Sequence, residues 1–170
     1  MRIDDRLETA LRNFDGVTAQ GATGQWHQLL DLLAQNPSNF DIEDVAGGLE
    51  RLHSAAGQVP LQDRVSCVNS LQRGIRSAPL IMLLSHDEPP VAAVAMQRAQ
   101  LEDHDWIEII PRLGTRARGF LRLRTDLGQA AAHALQVFSA GDFLLPYAGQ
   151  ESLAVEIETA KPAQTSHWQS

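Results

Sequence analysis

Apolar residues recur at helical spacing along almost all of this 170-residue chain, and that periodicity limits the fold more than any other feature. Trp26, Leu29, Leu30 and Leu33, for example, follow the i, i+3, i+4, i+7 pattern of one helix face. The chain holds 22 Leu and 22 Ala but only 5% aromatic residues, a balance that favours helices over strands. The sequence therefore predicts an all-α protein.

Helix-breaking and helix-capping residues divide this pattern into about eight to ten helices. Loops are predicted at 17–24, where small residues interrupt the pattern, and at the run NPSN, 36–39. Asp41 is predicted to cap the next helix, whose core face would carry Ile42, Val45, Ala46, Leu49 and Leu52. Later helices are predicted to begin near three prolines: Pro60, Pro79 and Pro89.

One helical domain is predicted over residues 1–148, since this length suits a single domain with a substantial core. Residues 149–170 have the composition of a linker or a disordered tail. Within that tail, LAVEIE at 153–158 alternates apolar and polar residues, which fits either a short strand or a frayed helix.

A faint internal repeat runs through the second half of the chain. Residues 86–96 match 125–135, and residues 105–111 match 142–146. Each copy begins with an Asp, which is followed after a short gap by a helix of small residues. Each copy then has an Asp, an aromatic residue and aliphatic residues in succession, and it ends with a proline. A period near 40 residues with two helices per unit is typical of HEAT-like repeats. The predicted fold is therefore a HEAT-like multi-helix array of helical hairpins.

Charge and cysteine content limit the environment and the partners. The net charge of −7 argues against general nucleic-acid binding. The single cysteine, Cys67, excludes an internal disulfide and fits a reducing cytoplasm, and its apolar surroundings predict a buried, inert thiol. No continuous apolar run reaches the length of about 18 residues that a membrane span requires. We expect a cytoplasmic chain with no cofactor.

The run SHDEPP at 85–90 carries the residues with the most obvious chemistry. A Ser-His-acid run before a proline resembles the phosphoacceptor box of sensor histidine kinases. However, the prolines three and four residues after His86 must end its helix, and the Gly-rich and Asn-bearing motifs of the kinase ATP site are missing. The pattern favours a turn between two helices, with no catalytic residue.

A metal-dependent alternative rests on the same run. An adjacent His-Asp pair is similar to the metal-binding dyad of HD-type phosphohydrolases, which activate water for attack on phosphate. In that alternative the ligands would be His53, His86, Asp87 and Asp142, with Asp126 as a substitute for the last.

A basic cluster opposes the sign of the whole chain. Five of the 14 basic residues fall within 13 positions: Arg112, Arg116, Arg118, Arg122 and Arg124. Such a cluster can bind phosphate or an acidic partner surface, or it can form a solvated face paired with carboxylates elsewhere. We predict that this cluster is the partner-binding face.

The segment 78–146 resembles an uncharacterised helical-repeat domain of alphaproteobacteria. The matching pieces are RAQLEDHDW, IPRLGTRARGFLRLRTDL and FSAGDFLL. Such domains resemble HEAT repeats and are found at the N-terminus of sensor histidine kinases. The resemblance implies a non-catalytic input or protein-interaction module whose partners are another protein, attached kinase domains or a second copy of itself. Any kinase activity would lie outside this chain. A stand-alone helical adaptor remains the other interpretation.

Overall fold

The computed structural model describes residues 19–35 and 41–138, and every regular element within these ranges is a helix. The all-α prediction is thereby confirmed, and the eight α-helices agree with the predicted number. They are α1 (Ala19–Leu33), α2 (Ile42–Ala55), α3 (Leu61–Ser70), α4 (Ala78–Ser85), α5 (Pro89–Arg98), α6 (Asp103–Ile109), α7 (Thr115–Arg122) and α8 (Gln129–Val137). The predicted tail at 149–170 lies outside the described residues.

The helices pack as two alternating series. Helices α1, α3, α5 and α7 contact one another in turn, and α2, α4, α6 and α8 do the same. Contacts between the consecutive helices α1–α2, α4–α5 and α7–α8 join the two series. The result is a two-layer helical array, in which each helix extends the layer begun two helices earlier.

The core lies between the layers and is built from the predicted apolar stripes. Leu29 and Leu30 on α1 and Val68 on α3 are fully buried. Burial of each such leucine contributes about 1.5–3 kcal/mol to stability. Trp26 is also buried, and its indole Nε1 donates a hydrogen bond to the Leu52 carbonyl at 3.1 Å, so its polar group is satisfied.

The internal repeat differs from the two-helix unit that we predicted. Two helices, α6 and α7, lie between the matched helices α5, which begins at Pro89, and α8, which begins at Gln129, so the two copies are offset by three helices. Because the offset spans an odd number of helices, α5 and α8 belong to opposite layers. The matched segment 142–146 lies outside the described residues. The likeness to HEAT repeats stays a prediction.

Two local predictions were wrong. The loop predicted at 17–24 is helical from Ala19, where the buried Ala22 continues the apolar face of Trp26 and Leu29 by one more turn. Asp41 does cap α2, accepting a hydrogen bond from the Glu43 N–H at 3.1 Å, but Ile42 is 85% exposed. The buried stripe of α2 begins one turn later, at Val45, so Ile42 lies beyond the contact.

The segment 71–77, between α3 and α4, is fixed to two neighbouring helix ends. The backbone hydrogen bonds are Ile75 N–H to Arg98 O (2.9 Å), Gln100 N–H to Ile75 O (2.7 Å) and Arg76 N–H to Ala34 O (2.7 Å). Gly74 has a φ of 70°, and a β-carbon there would lie 2.7 Å from the Arg98 carbonyl oxygen. Only glycine fits this position without strain.

Candidate functional site

The run SHDEPP forms the turn between α4 and α5, as its prolines predicted. Helix α4 ends at Ser85, His86 is its C-cap residue, and α5 begins at Pro89. His86 is exposed at the end of a helix of only eight residues. A kinase phosphoacceptor would instead need its histidine along the side of a long dimerising helix.

The charged side chains of this turn are held by Arg64 of α3, which is 7% exposed. Its Nη1 donates to Asp87 Oδ1, and its Nη2 donates to Glu88 Oε1 at 2.9 Å. The Asp87 side chain is 12% exposed, whereas that of Glu88 is 56% exposed. One buried guanidinium thus pairs with two carboxylates and attaches the turn to α3.

A cavity of about 530 Å³ opens beside this ion pair. Its walls are mainly apolar and come from α1, α2 and α4, with Trp26, Leu52 and Leu83 among them. Polar groups gather on the side of the turn, where His86 lies with the Arg64 network. We refer to it as the turn cavity.

Three residues of the metal-binding alternative, His53, His86 and Asp87, line the turn cavity, while Asp142 lies outside the described residues. The Asp87 carboxylate is already bound to Arg64, which competes with any cation for it. Within residues 19–35 and 41–138, no group of three His, Cys, Asp or Glu side chains is placed to hold a metal ion. Asp126 lies away from this cavity, where it is bound to Arg124.

The arginine cluster divides into side chains that hold the fold together and side chains that face solvent. Arg118 donates from Nη1 to the Leu113 carbonyl, and its guanidinium carbon lies 4.9 Å from the centroid of the Phe138 ring. Arg122 donates from Nη2 to the Leu135 carbonyl at 3.2 Å. Both side chains therefore connect α7 to the segments packed beside it.

Arg124 is largely buried, with a side chain that is 11% exposed. Its Nη1 donates to the Met96 carbonyl at 2.8 Å and to the Ala99 carbonyl at 2.7 Å. These carbonyls lie at the end of α5, where helical partners run out. Arg124 also forms an ion pair with Asp126 at 2.7 Å. The hydrogen bond from Arg124 lowers the pKa of the Asp126 carboxyl, and the positive charge of Arg124 acts in the same direction, whereas desolvation opposes them.

Arg112 and Arg116 are the exposed members of the cluster. The Arg112 guanidinium lies 3.9 Å from the Glu108 carboxylate, and both side chains are about two-thirds exposed or more. Such an exposed pair contributes little to stability. Of the five arginines, these two are therefore the most accessible to a partner.

Cys67 is buried, as the sequence predicted. Burial raises the pKa of its thiol, and the negative charge of Asp63 acts in the same direction. Both effects lower the fraction of reactive thiolate at neutral pH.

A polar groove of about 620 Å³ between α1 and the segment 71–77 was missed by the sequence analysis. In it, His27 Nε2 lies 3.1 Å from Ser70 Oγ, and the Ser70 hydroxyl donates to the Cys67 carbonyl at 2.8 Å. While the single hydroxyl proton of Ser70 is donated to the Cys67 carbonyl, His27 can only donate to Ser70, and in this arrangement it does not activate Ser70 as a nucleophile. The sequence signal for this groove is the pair of arginines that flanks Gly74 in QRGIR.

No protein-family model, curated protein or solved structure matches the chain. The resemblance to the alphaproteobacterial helical-repeat domain therefore stays a prediction. In the part of the chain that the structure describes, no helix is both long enough and apolar enough to cross a membrane.

Proposed function

We propose that this chain is a non-catalytic protein-interaction module, acting as the N-terminal input region of a two-component sensor histidine kinase. The observation that carries the proposal is the alternating two-layer packing of α1 to α8. Stacked helices of this kind present extended outer surfaces, which helical-array proteins use to bind partners. The resemblance of the segment 78–146 to a domain found ahead of kinase catalytic regions supports the same function.

The proposed mechanism is a shift between conformations of the attached kinase dimer. A partner that binds the array more tightly in one dimer geometry increases the population of that geometry. The size of the shift is limited by the difference between the two affinities.

Arg112 and Arg116 are the proposed contacts for an acidic partner surface. Their side chains are exposed, whereas Arg118, Arg122 and Arg124 bind backbone carbonyls of this chain. Positive charge on an otherwise acidic chain would attract such a partner and orient it.

The first test is the intact mass of the native gene product, taken from its host. A mass well above 18.6 kDa, with kinase sequence in the remainder, is the expected result. A mass of 18.6 kDa would contradict the input-region proposal and leave the stand-alone adaptor.

Charge reversal then tests the contact face within the full-length kinase. We expect the double variant Arg112→Glu, Arg116→Glu to change the partner-dependent autophosphorylation rate severalfold. Its thermal stability should stay within about 0.5 kcal/mol of the parent, as for other exposed positions. The matched control is Arg51→Glu, an exposed arginine on α2. An equal response in the control would remove this face from the proposal.

An HD-type metal-dependent phosphohydrolase is the second candidate, favoured by the presence of His53, His86 and Asp87 around one cavity. This function requires about one divalent ion per chain, lost in His86→Ala. Metal analysis of the purified protein tests it. A metal-free protein whose melting temperature is unchanged by chelator would exclude this candidate.

A further inference from the structure

The polar groove between α1 and the segment 71–77 has two walls with different chemistry. Helix α1 contributes His27, Gln28 and Asp31, which lie on one helix face, and the loop contributes Arg73 and Arg76. Because Arg76 N–H donates to the Ala34 carbonyl at the end of α1, the two walls are joined by a backbone hydrogen bond.

Arg73 and Arg76 differ from the arginines that hold the fold together. Both are exposed at the groove, and among the described residues neither has a carboxylate or a carbonyl as a hydrogen-bond or ion-pair partner. Arg64 and Arg124, by contrast, bind carboxylates or carbonyls of this chain. The donors of Arg73 and Arg76 are therefore available to an external anion.

The loop that carries these arginines has a fixed conformation. Ile75, between them, both donates and accepts a backbone hydrogen bond with the end of α5, and Gly74 holds a left-handed conformation. Two guanidinium groups on a rigid loop lose less conformational entropy on binding than they would on a mobile one.

We propose that this groove binds a phosphorylated polyol, such as a sugar phosphate, with Arg73 and Arg76 holding the phosphate group. Guanidinium groups bind phosphate oxygens through paired, charge-assisted hydrogen bonds. The amides of Gln28 and Gln72 and the Ser70 hydroxyl line the same groove and match the hydroxyl groups of a polyol.

The lining selects a sugar phosphate over a nucleotide. Among the described groove residues, the imidazole of His27 is the one aromatic ring, so a base would lack a large ring on which to stack. Asp31 adds one negative charge opposite the two arginines, so these three side chains together carry a charge of +1. A ligand with a single phosphate group is therefore favoured over a polyphosphate.

The test is calorimetric titration of the full chain with glucose 6-phosphate, inorganic phosphate and glucose, at physiological ionic strength to screen weak, non-specific attraction. We expect saturable binding of glucose 6-phosphate that is at least tenfold tighter than that of either fragment. Arg73→Gln and Arg76→Gln should each weaken the binding of glucose 6-phosphate by about tenfold or more, since each variant removes charge-assisted hydrogen bonds to the phosphate.

The matched control is Arg51→Gln, which removes the same charge from an exposed arginine outside the groove and should leave the affinity unchanged. Amide resonances of Ser70 and Gly74 should shift on titration, and melting temperatures of the variants should match that of the parent. Absence of binding at millimolar ligand, equal affinity for inorganic phosphate, or equal loss in Arg51→Gln would each overturn the proposal. The inference is independent of the proposed function, because neither the intact mass nor the autophosphorylation test depends on this groove.

Discussion

Arg64 and Asp87, which are 23 residues apart in the chain, form an ion pair that attaches the turn after α4 to α3. Both side chains are largely removed from water, at 9% and 12% exposure. Taking two charges out of water is costly, and their mutual attraction offsets that cost only while both are present. The SHDEPP turn, although it resembles catalytic motifs, therefore has a structural role, which is to attach the end of α4 to α3.

Removal of Arg64 should destabilise the protein strongly. We expect Arg64→Ala to lower the free energy of unfolding by about 3–5 kcal/mol, because Asp87 is left buried without its counter-charge. Glu88→Gln should cost about 1 kcal/mol or less, since Glu88 is 56% exposed. Urea denaturation followed by circular dichroism measures both values. If Arg64→Ala were no more destabilising than Glu88→Gln, the ion pair with Asp87 would have no structural importance.

Arg124 and Arg116 provide a matched pair within one cluster. Arg124→Met should cost about 2–3 kcal/mol, because the Met96 and Ala99 carbonyls lose a charged donor. Arg116→Met should stay within about 0.5 kcal/mol of the parent, because Arg116 is exposed. The urea concentration at the midpoint of unfolding, measured for both variants, tests this difference in stability. Equal midpoints would contradict the structural role of Arg124.

Two glycines should respond in opposite directions to alanine. Gly74→Ala should destabilise by about 2–4 kcal/mol, since its φ of 70° costs an L-residue about 1–2 kcal/mol and its β-carbon would lie 2.7 Å from the Arg98 carbonyl oxygen. Gly47→Ala should stabilise α2 by about 0.5–1 kcal/mol, since no atom lies within 4 Å of a β-carbon there. Thermal unfolding of both variants checks the signs. A neutral Gly74→Ala variant would mean that the loop adopts another conformation.

Acid stability should depend on Asp126. The hydrogen bond from Arg124 holds the pKa of this carboxyl below its ordinary value of 3.8. Its contribution to stability is therefore complete above pH 3.8 and is lost as the pH falls through the lowered pKa of the folded state. Because the side chain is exposed, the effect should be small. As the pH is lowered from neutral, the melting temperature of Asp126→Asn should fall less steeply than that of the parent. Parallel curves for the two proteins would contradict a contribution of the Asp126 carboxylate to stability.

Local sequence patterns were sufficient for most of the helices and for many of their ends, although not for the start of α1. The apolar stripe at Trp26, Leu29 and Leu30 is buried as predicted, and Asp41 and Pro89 begin helices as predicted. These features depend on side-chain spacing and backbone capping within a few residues, so the sequence contains all the information they require.

The roles of the charged residues could not be predicted in the same way. Five similar arginines between 112 and 124 gave no sign that Arg124 would bind carbonyls at the end of α5 while Arg116 would face solvent. The groove that carries Arg73 and Arg76 was likewise missed, because the arginine pair marks only one of its walls and the other wall, α1, is distant in the chain.

Patterns within the chain were therefore enough to predict an array of short helices, where many of them begin, and a turn at SHDEPP. The pairing of Arg64 with Asp87, the placement of α5 and α8 in opposite layers and the exposure of each arginine became known only from the folded structure. Helix periodicity and capping act between near neighbours in the chain, whereas the burial and pairing of a charge depend on which distant segments pack around it.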